Sequence, residues 1–153
     1  MQPFTKDLTT AEALHGHLCQ RVVVAVLMAR MAFRLLGIEN PCGSGRLIVC
    51  EETDECAAAA LKAVAGREAL GLLRSAAGGL ATMTTTFFDV GTGRGVRIAA
   101  RRPIPLCSVP GSQLSPWAGS LDEDLFTCKP LGVRGSVRRD ILSDFRVISP
   151  TLA

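Results

Sequence analysis

The sequence contains no tyrosine and few aromatic residues, which make up 5% of its 153 residues. Sites for single-stranded nucleic acid depend on aromatic rings on which the bases stack. The net charge of +3 is also too small an excess to require an acidic partner. Nucleic acid is therefore not an expected partner.

The sequence also lacks a long hydrophobic run and a targeting segment. Its longest apolar run is Val22 to Ala29, bounded by Arg21 and Arg30, whereas a membrane-spanning helix needs about 20 apolar residues. The first residues contain no apolar signal-peptide core. We expect a cytoplasmic protein that does not associate with a membrane.

No two cysteines form a Cys-x-x-Cys pair, which excludes a zinc ribbon and a thioredoxin-type redox motif. In a reducing compartment the cysteines are expected to be thiols or metal ligands rather than a disulfide framework. There are six of them: Cys19, Cys42, Cys50, Cys56, Cys107 and Cys128.

Hydrophobic residues make up 48% of the chain and charged residues 20%, which excludes intrinsic disorder and suits one folded domain over 1–153. The patterns predict helices over 18–36, 56–64 and 121–126, and strands over 47–50, 80–90, 96–99 and 145–148. An earlier helix, capped by Thr9 and Thr10, is predicted to be interrupted at Gly16. Without regular β-α-β alternation, the predicted class is α+β, with a long buried helix on a mixed or antiparallel sheet.

Both histidines lie in the segment His15-Gly16-His17-Leu18-Cys19. Imidazole and thiolate donors this close together suit zinc, nickel or another late transition metal. On a continuous helix His15 and Cys19 would share a face; if Gly16 marks a junction, His17 and Cys19 could converge instead. The alternative is structural, because a cysteine on an apolar helix often serves as a small hydrophobic residue.

Cys56 is the second candidate, because it opens a predicted helix directly after a buried strand and the residues Glu52 to Glu55. Taken alone, Cys56 is better explained as a structural residue. The glycines from Gly91 to Gly95 superficially suggest phosphate binding, but a phosphate loop needs a following helix. We therefore predict a hairpin turn there.

The order of these features resembles the FmdE family, which takes its name from formylmethanofuran dehydrogenase. The resemblance rests on the His-Gly-His-x-Cys element, the long helix to Gly37 and the segment Glu52-Thr53-Asp54-Glu55-Cys56, and it covers residues 11–101. It implies an α+β core that forms a homodimer and binds a metal ion, with zinc expected and nickel as the alternative. The implied metal ligands are His15, His17, Cys19 and Cys56.

The chain departs from the family pattern at several positions. Ala59 stands where the family commonly has Asp, and Arg67 where it has Cys. Gln20 and Arg21 replace a common Pro-Gly. Residues 102–153 form a loop-rich extension in place of the C-terminal zinc ribbon of longer members. An acidic group and a third cysteine are therefore missing, which affects catalysis more than metal binding.

Three functions remain open on the sequence alone. The first, which we adopt, is a metal-binding FmdE-like protein that is accessory to molybdenum, tungsten or one-carbon enzymes. The second is a non-catalytic accessory or interaction protein with a degenerate site and a dimer interface along residues 22–36. The third is an enzyme with Cys19 or Cys56 as nucleophile and a histidine as base. The sequence indicates no particular substrate or small-molecule ligand.

Overall fold

The computed structural model describes residues 2–43, 45–51, 55–66, 72–75, 83–104, 125–132 and 145–147. These residues form three α-helices and one six-stranded sheet, which is the α+β class predicted from the sequence. The elements in chain order are α1 Phe4–His15, α2 Gln20–Leu36, β1 Leu47–Glu51, α3 Glu55–Ala65, β2 Leu72–Ser75, β3 Thr84–Asp89, β4 Arg94–Ala100, β5 Phe126–Gly132 and β6 Phe145–Val147.

The sheet has the strand order β5-β4-β3-β1-β2-β6. Neighbouring strands are antiparallel except for β1 and β2, which are parallel and are linked by a connection that contains α3. A parallel pair requires a crossover of this kind, because its strands cannot be joined by a tight turn.

Helix α2 is the centre of the hydrophobic core. All of its residues from Val22 to Ala29 are buried within one chain, as expected for a helix that is apolar on nearly every side. It packs against the sheet, where the ring of Phe33 meets the ring of Phe87 on β3 edge-on at 6.1 Å between centroids. The helix ends at Gly37, whose φ of 70° places it in the left-handed region that closes many helices.

Arg30 of α2 fastens α1 to α2. Its guanidinium donates to the Asp7 carboxylate and to the carbonyl oxygen of Gln2, and it lies 5.8 Å from the centre of the Phe4 ring. Burial raises the pKa of Asp7 by more than the hydrogen bond and charge of Arg30 lower it. The contacts make α1 antiparallel to α2, so the end of α1 lies beside the start of α2.

The hydrogen bonds also fix the ends of the sheet relative to α2. Arg94 at the start of β4 donates to the carbonyl oxygen of Leu35, whereas Arg21 donates to that of Ile104, beyond the end of β4. Strand β1 runs parallel to β4, because both are antiparallel to β3. The end of β1 and the start of α3 therefore lie at the same end of the molecule as the start of α2.

Several predicted elements are confirmed within a few residues. These are the long helix (α2), the first strand (β1), the alanine-rich helix (α3), the hairpin formed by β3 and β4, and the last strand (β6). The turn at residues 90–93 joins β3 and β4 and confirms the hairpin turn that was predicted for the glycine-rich segment. The predicted first part of β3, residues 80–82, lies outside the described residues.

Other predictions were wrong or incomplete. Helix α1 begins at Phe4 after Pro3, so Thr9 and Thr10 are not its cap; their hydroxyls donate to the carbonyl oxygens one turn earlier. Strands β2 and β5 were not predicted. The helix predicted over 121–126 includes residues 121–124, which lie outside the described residues, and Phe126 begins β5 instead. Strands β5 and β6 come from the predicted loop-rich extension. None of the helices in the described part of the chain combines the length and hydrophobicity needed to cross a bilayer.

Candidate metal centre

The two histidines and Cys19 meet at the junction between α1 and α2. One potential ligand atom from each of His15, His17 and Cys19 lies within 4.8 Å of the other two. The imidazole rings of His15 and His17 are 4.5 Å apart between centroids and inclined at 51°. The structure therefore brings together all three candidates from the His-Gly-His-x-Cys element.

Gly16 makes this convergence possible. Its φ of 96° and ψ of −19° end α1 in the left-handed conformation, and its N–H donates to the carbonyl oxygen of Glu12 at 2.7 Å. A residue with a side chain rarely adopts such a conformation. The chain therefore turns between the two helices. The sequence had suggested that Cys19 would meet either His15 or His17, whereas in the structure it meets both.

The first histidine is oriented by the backbone. His15 Nδ1–H donates to the carbonyl oxygen of His17 at 3.0 Å; since a carbonyl can only accept, the hydrogen lies on Nδ1. In the neutral ring, the tautomer with the hydrogen on Nδ1 has its lone pair on Nε2, and hydrogen bonds of this kind commonly orient histidines that bind metals. The sequence did not indicate this contact, because residue spacing does not show which backbone carbonyl a histidine ring will meet.

Burial differs sharply among the three donors. Cys19 is 2% exposed and packs in the hydrophobic core, His15 is half-buried and His17 is exposed. Cys19 is the N-cap residue of α2 with extended φ and ψ, and within the described residues its thiol makes no capping hydrogen bond. The sulfur of Cys19 therefore lies in the protein interior, whereas the imidazoles of His15 and His17 lie nearer the solvent.

This donor set fits a late transition-metal ion. Zinc holds imidazole nitrogen at about 2.0–2.1 Å and thiolate sulfur at about 2.3 Å, and such sites commonly combine both ligand types. To share one ion at these distances, the three donor atoms would have to approach one another by roughly an ångström. Such an ion would act as a Lewis acid if it kept a coordination position open to water.

Cys56 is not a member of this three-residue cluster. It is the second residue of α3, it is partly buried, and it packs against the hydrophobic core. Because α3 begins at the end of the molecule where α2 begins, Cys56 lies at the same end as the cluster.

The thiol of Cys42 donates to the carbonyl oxygen of Val64 at 3.5 Å, which places the end of α3 beside the connection between α2 and β1.

The remaining cysteines are separate from the cluster. Cys50 is buried in β1, and Cys42 and Cys128 are exposed. Cys107 lies outside the described residues. Among the described residues, no further group of three histidine, cysteine or acidic side chains has the spacing to hold a metal ion.

The fold and this cluster define an α+β protein with a candidate metal centre at a helix junction. Residues 14–120 match the family FmdE, described as "FmdE, Molybdenum formylmethanofuran dehydrogenase operon". The chain therefore belongs to the FmdE family, which confirms the resemblance and extends it beyond residue 101. No curated protein and no solved structure matches the chain significantly.

Proposed function

We propose that the protein binds a divalent transition-metal ion, with zinc as the expected ion and nickel as the alternative. The observation that carries the proposal is the approach of donor atoms from His15, His17 and Cys19 to within 4.8 Å of one another. A thiolate and two imidazoles suit ions of this class better than magnesium or calcium, which prefer oxygen ligands.

Cys56 is the proposed fourth donor. Its position in the first turn of α3, at the same end of the molecule as the cluster, supports this assignment. If its thiolate joined the cluster when the ion binds, it would supply a second sulfur donor. Two thiolates and two imidazoles would complete the tetrahedral coordination common in zinc proteins.

The proposed role is accessory to molybdenum, tungsten or one-carbon enzymes, which rests on membership of the FmdE family. The proposed oligomeric state is a homodimer, which rests on the family resemblance. The proposed location is the cytoplasm, which is consistent with free thiols in the described cysteines. The hydrophobic stripe of α2 no longer supports a dimer, because one chain already buries it.

The test is metal analysis of protein purified without a histidine tag. The wild-type protein should carry stoichiometric metal, and Cys19→Ser should lose it because Cys19 supplies the buried sulfur. Cys42→Ser is the matched control, since Cys42 is exposed and contacts the end of α3 instead. Wild-type protein without metal, or Cys19→Ser with unchanged metal, would contradict the proposal.

Cys56 is tested by cobalt(II) loading of the wild type and of Cys56→Ser. Cobalt bound to thiolate gives a sulfur-to-metal absorption band whose intensity depends on the number of thiolates. Cys56→Ser should retain the ion but lose part of this band. An unchanged band would remove Cys56 from the ligand set and leave three protein donors.

A further inference from the structure

A buried polar pair that does not belong to the three-residue cluster lies on the helix-facing side of the sheet. Glu51 at the end of β1 and Thr85 on β3 are each 1% exposed, and they are directly paired across the two strands. Nothing in the proposed metal site uses either side chain. A carboxyl and a hydroxyl in this position require a physical explanation, because burying polar groups is costly unless they are hydrogen-bonded.

The direction of both side chains follows from the strand register. Val49 and Phe87 are also a cross-strand pair, both belong to the hydrophobic core, and Phe87 contacts Phe33 of α2. Side chains two residues apart on a strand project to the same face. Glu51 and Thr85 therefore point into the layer between the sheet and the helices.

Thr85 supplies the second observation. Among the described residues, no group donates a hydrogen bond to Thr85 Oγ1 or accepts one from it. A buried hydroxyl without a partner is costly, and the adjacent carboxyl has oxygens that can accept a hydrogen bond. A water molecule is the smallest ligand that can bond to both groups, and internal waters typically satisfy buried polar atoms in this way.

We infer that Glu51 and Thr85 share an ordered internal water, and that this hydrogen-bonded unit anchors the end of β1 and thereby positions Cys56. Glu51 is the last residue of β1, and Cys56 lies in the first turn of α3, which follows. Only residues 52–54 separate Glu51 from the start of α3, so the length of the chain limits how far from the strand end α3 can begin. Glu51 is thus a positioning residue, and this second half of the inference rests on the proposed metal function.

The water is tested by thermal unfolding of the metal-free full chain and by crystallography. Thr85→Val, which is nearly isosteric, should lower the unfolding midpoint by about 2–4 °C, the shift expected for about 1 kcal/mol. The same substitution should cost nothing in a Glu51→Leu background, where the water has lost its other partner. In a Glu51→Gln background, which keeps a hydrogen-bonding group, Thr85→Val should still lower the unfolding midpoint. This background replaces Glu51→Leu as the test if Glu51→Leu does not fold.

A crystal structure should show the water within hydrogen-bond distance of both side chains. If Thr85→Val raised the unfolding midpoint, the Thr85 hydroxyl would have no hydrogen-bonded water in the wild type, and the proposed internal water would be ruled out. A crystal structure with no density between the two side chains would do the same. Neither result depends on whether the protein binds metal, so failure here is distinguishable from failure of the proposed function.

The positioning role is tested on the cobalt(II)-loaded protein. Glu51→Leu should weaken the sulfur-to-cobalt band as much as Cys56→Ser does, whereas Glu51→Gln should restore the wild-type band. A wild-type band in Glu51→Leu would overturn the positioning role. If Cys56→Ser itself leaves the band unchanged, the positioning role fails together with the fourth donor, while cobalt binding by the other donors still stands.

Discussion

Asp89 is the residue that organises the hairpin between β3 and β4. Its buried carboxylate accepts two hydrogen bonds from the Arg46 guanidinium, one from the Thr92 hydroxyl and one from the Gly91 N–H. Burial alone would raise the pKa of Asp89, but these hydrogen bonds and the Arg46 charge outweigh it and hold the pKa below its ordinary value. The turn is thus built around a carboxylate that stays ionised.

Asp89→Asn should lower the free energy of unfolding at pH 7 by about 1–3 kcal/mol, because bonds to a charged acceptor are lost. A lowered pKa in the folded state stabilises the fold above the unfolded-state pKa. This stability disappears as the pH falls through the folded-state pKa. Urea unfolding of both proteins should therefore show a difference that shrinks below about pH 4.

Glu39→Gln is the control for this prediction, since Glu39 is exposed and its substitution should change little. An Asp89→Asn variant as stable as the wild type at pH 7 would show that the carboxylate does not stabilise the turn. A difference that stays constant down to about pH 2 would contradict its lowered pKa.

The pKa of Asp7 is shifted in the opposite direction from that of Asp89, because burial raises it despite the nearby Arg30. A raised pKa means that the folded state binds the proton more tightly, so the contribution of Asp7 to stability falls as the pH rises through that pKa. Arg30→Met should remove the compensating cation and raise the pKa of Asp7 further. The variant should lose about 1–3 kcal/mol at pH 7 and recover part of it as the pH falls toward about 4.

Urea unfolding at pH 7 and pH 4 checks this prediction. Arg34→Met is the matched control, because Arg34 lies on the same helix but is exposed and contacts Met31 rather than a carboxylate. An equal loss in the free energy of unfolding in the two variants would mean that Arg30 stabilises the fold no more than an ordinary surface side chain does.

At the scale of the elements, the break between α1 and α2 creates the candidate metal centre. Gly16→Ala adds a Cβ that meets no atom within 4 Å, so its cost comes from the positive φ alone. We expect a loss of about 1–2 kcal/mol in stability. If the backbone relaxes toward a continuous helix, His17 leaves the cluster and metal affinity falls too.

Gly37→Ala provides a matched control, because Gly37 also ends a helix with positive φ and an added Cβ there meets nothing within 4 Å. It lies at the opposite end of α2, so it should reduce stability and leave metal affinity unchanged. Competition with a chromogenic chelator measures the affinity, and urea unfolding measures the stability. Equal metal affinities of the two variants would contradict a specific role for the Gly16 junction.

At the scale of the whole molecule, α2 is buried by the chain that contains it. Its side chains pack against α1, α3 and the sheet, and from Val22 to Ala29 none is more than 2% exposed. A homodimer would therefore have to use another surface. Among the described residues, two leucines are exposed, Leu14 and Leu35; they lie at opposite ends of the α1–α2 pair and do not form one patch.

We predict that dilution sufficient to dissociate a homodimer leaves the helices intact. Light scattering after size-exclusion chromatography gives the oligomeric state, and far-UV circular dichroism over the same dilution series gives the helix content. Loss of helical signal together with dissociation would show that the single chain does not hold α2 by itself. Leu35→Lys controls for nonspecific association through the exposed leucine.

Local sequence patterns determined most of the helices and the central hairpin. The apolar composition of α2, the alanines of α3 and the threonines and phenylalanines of β3 act between near neighbours, so they can be interpreted without the rest of the fold. Membership of the FmdE family and the donor types of the His-Gly-His-x-Cys element were also evident from the sequence. The fourth donor, Cys56, stays a prediction.

Tertiary structure alone decided the features that depend on distant segments. The short strand β2 forms because β1 offers it a parallel neighbour, and β5 forms against the free edge of β4. Likewise, the contact of Arg30 with Asp7 packs α1 against α2, which the spacing of residues in the sequence did not indicate. Such contacts join residues far apart in the chain, and their free energy depends on the packed fold rather than on local spacing.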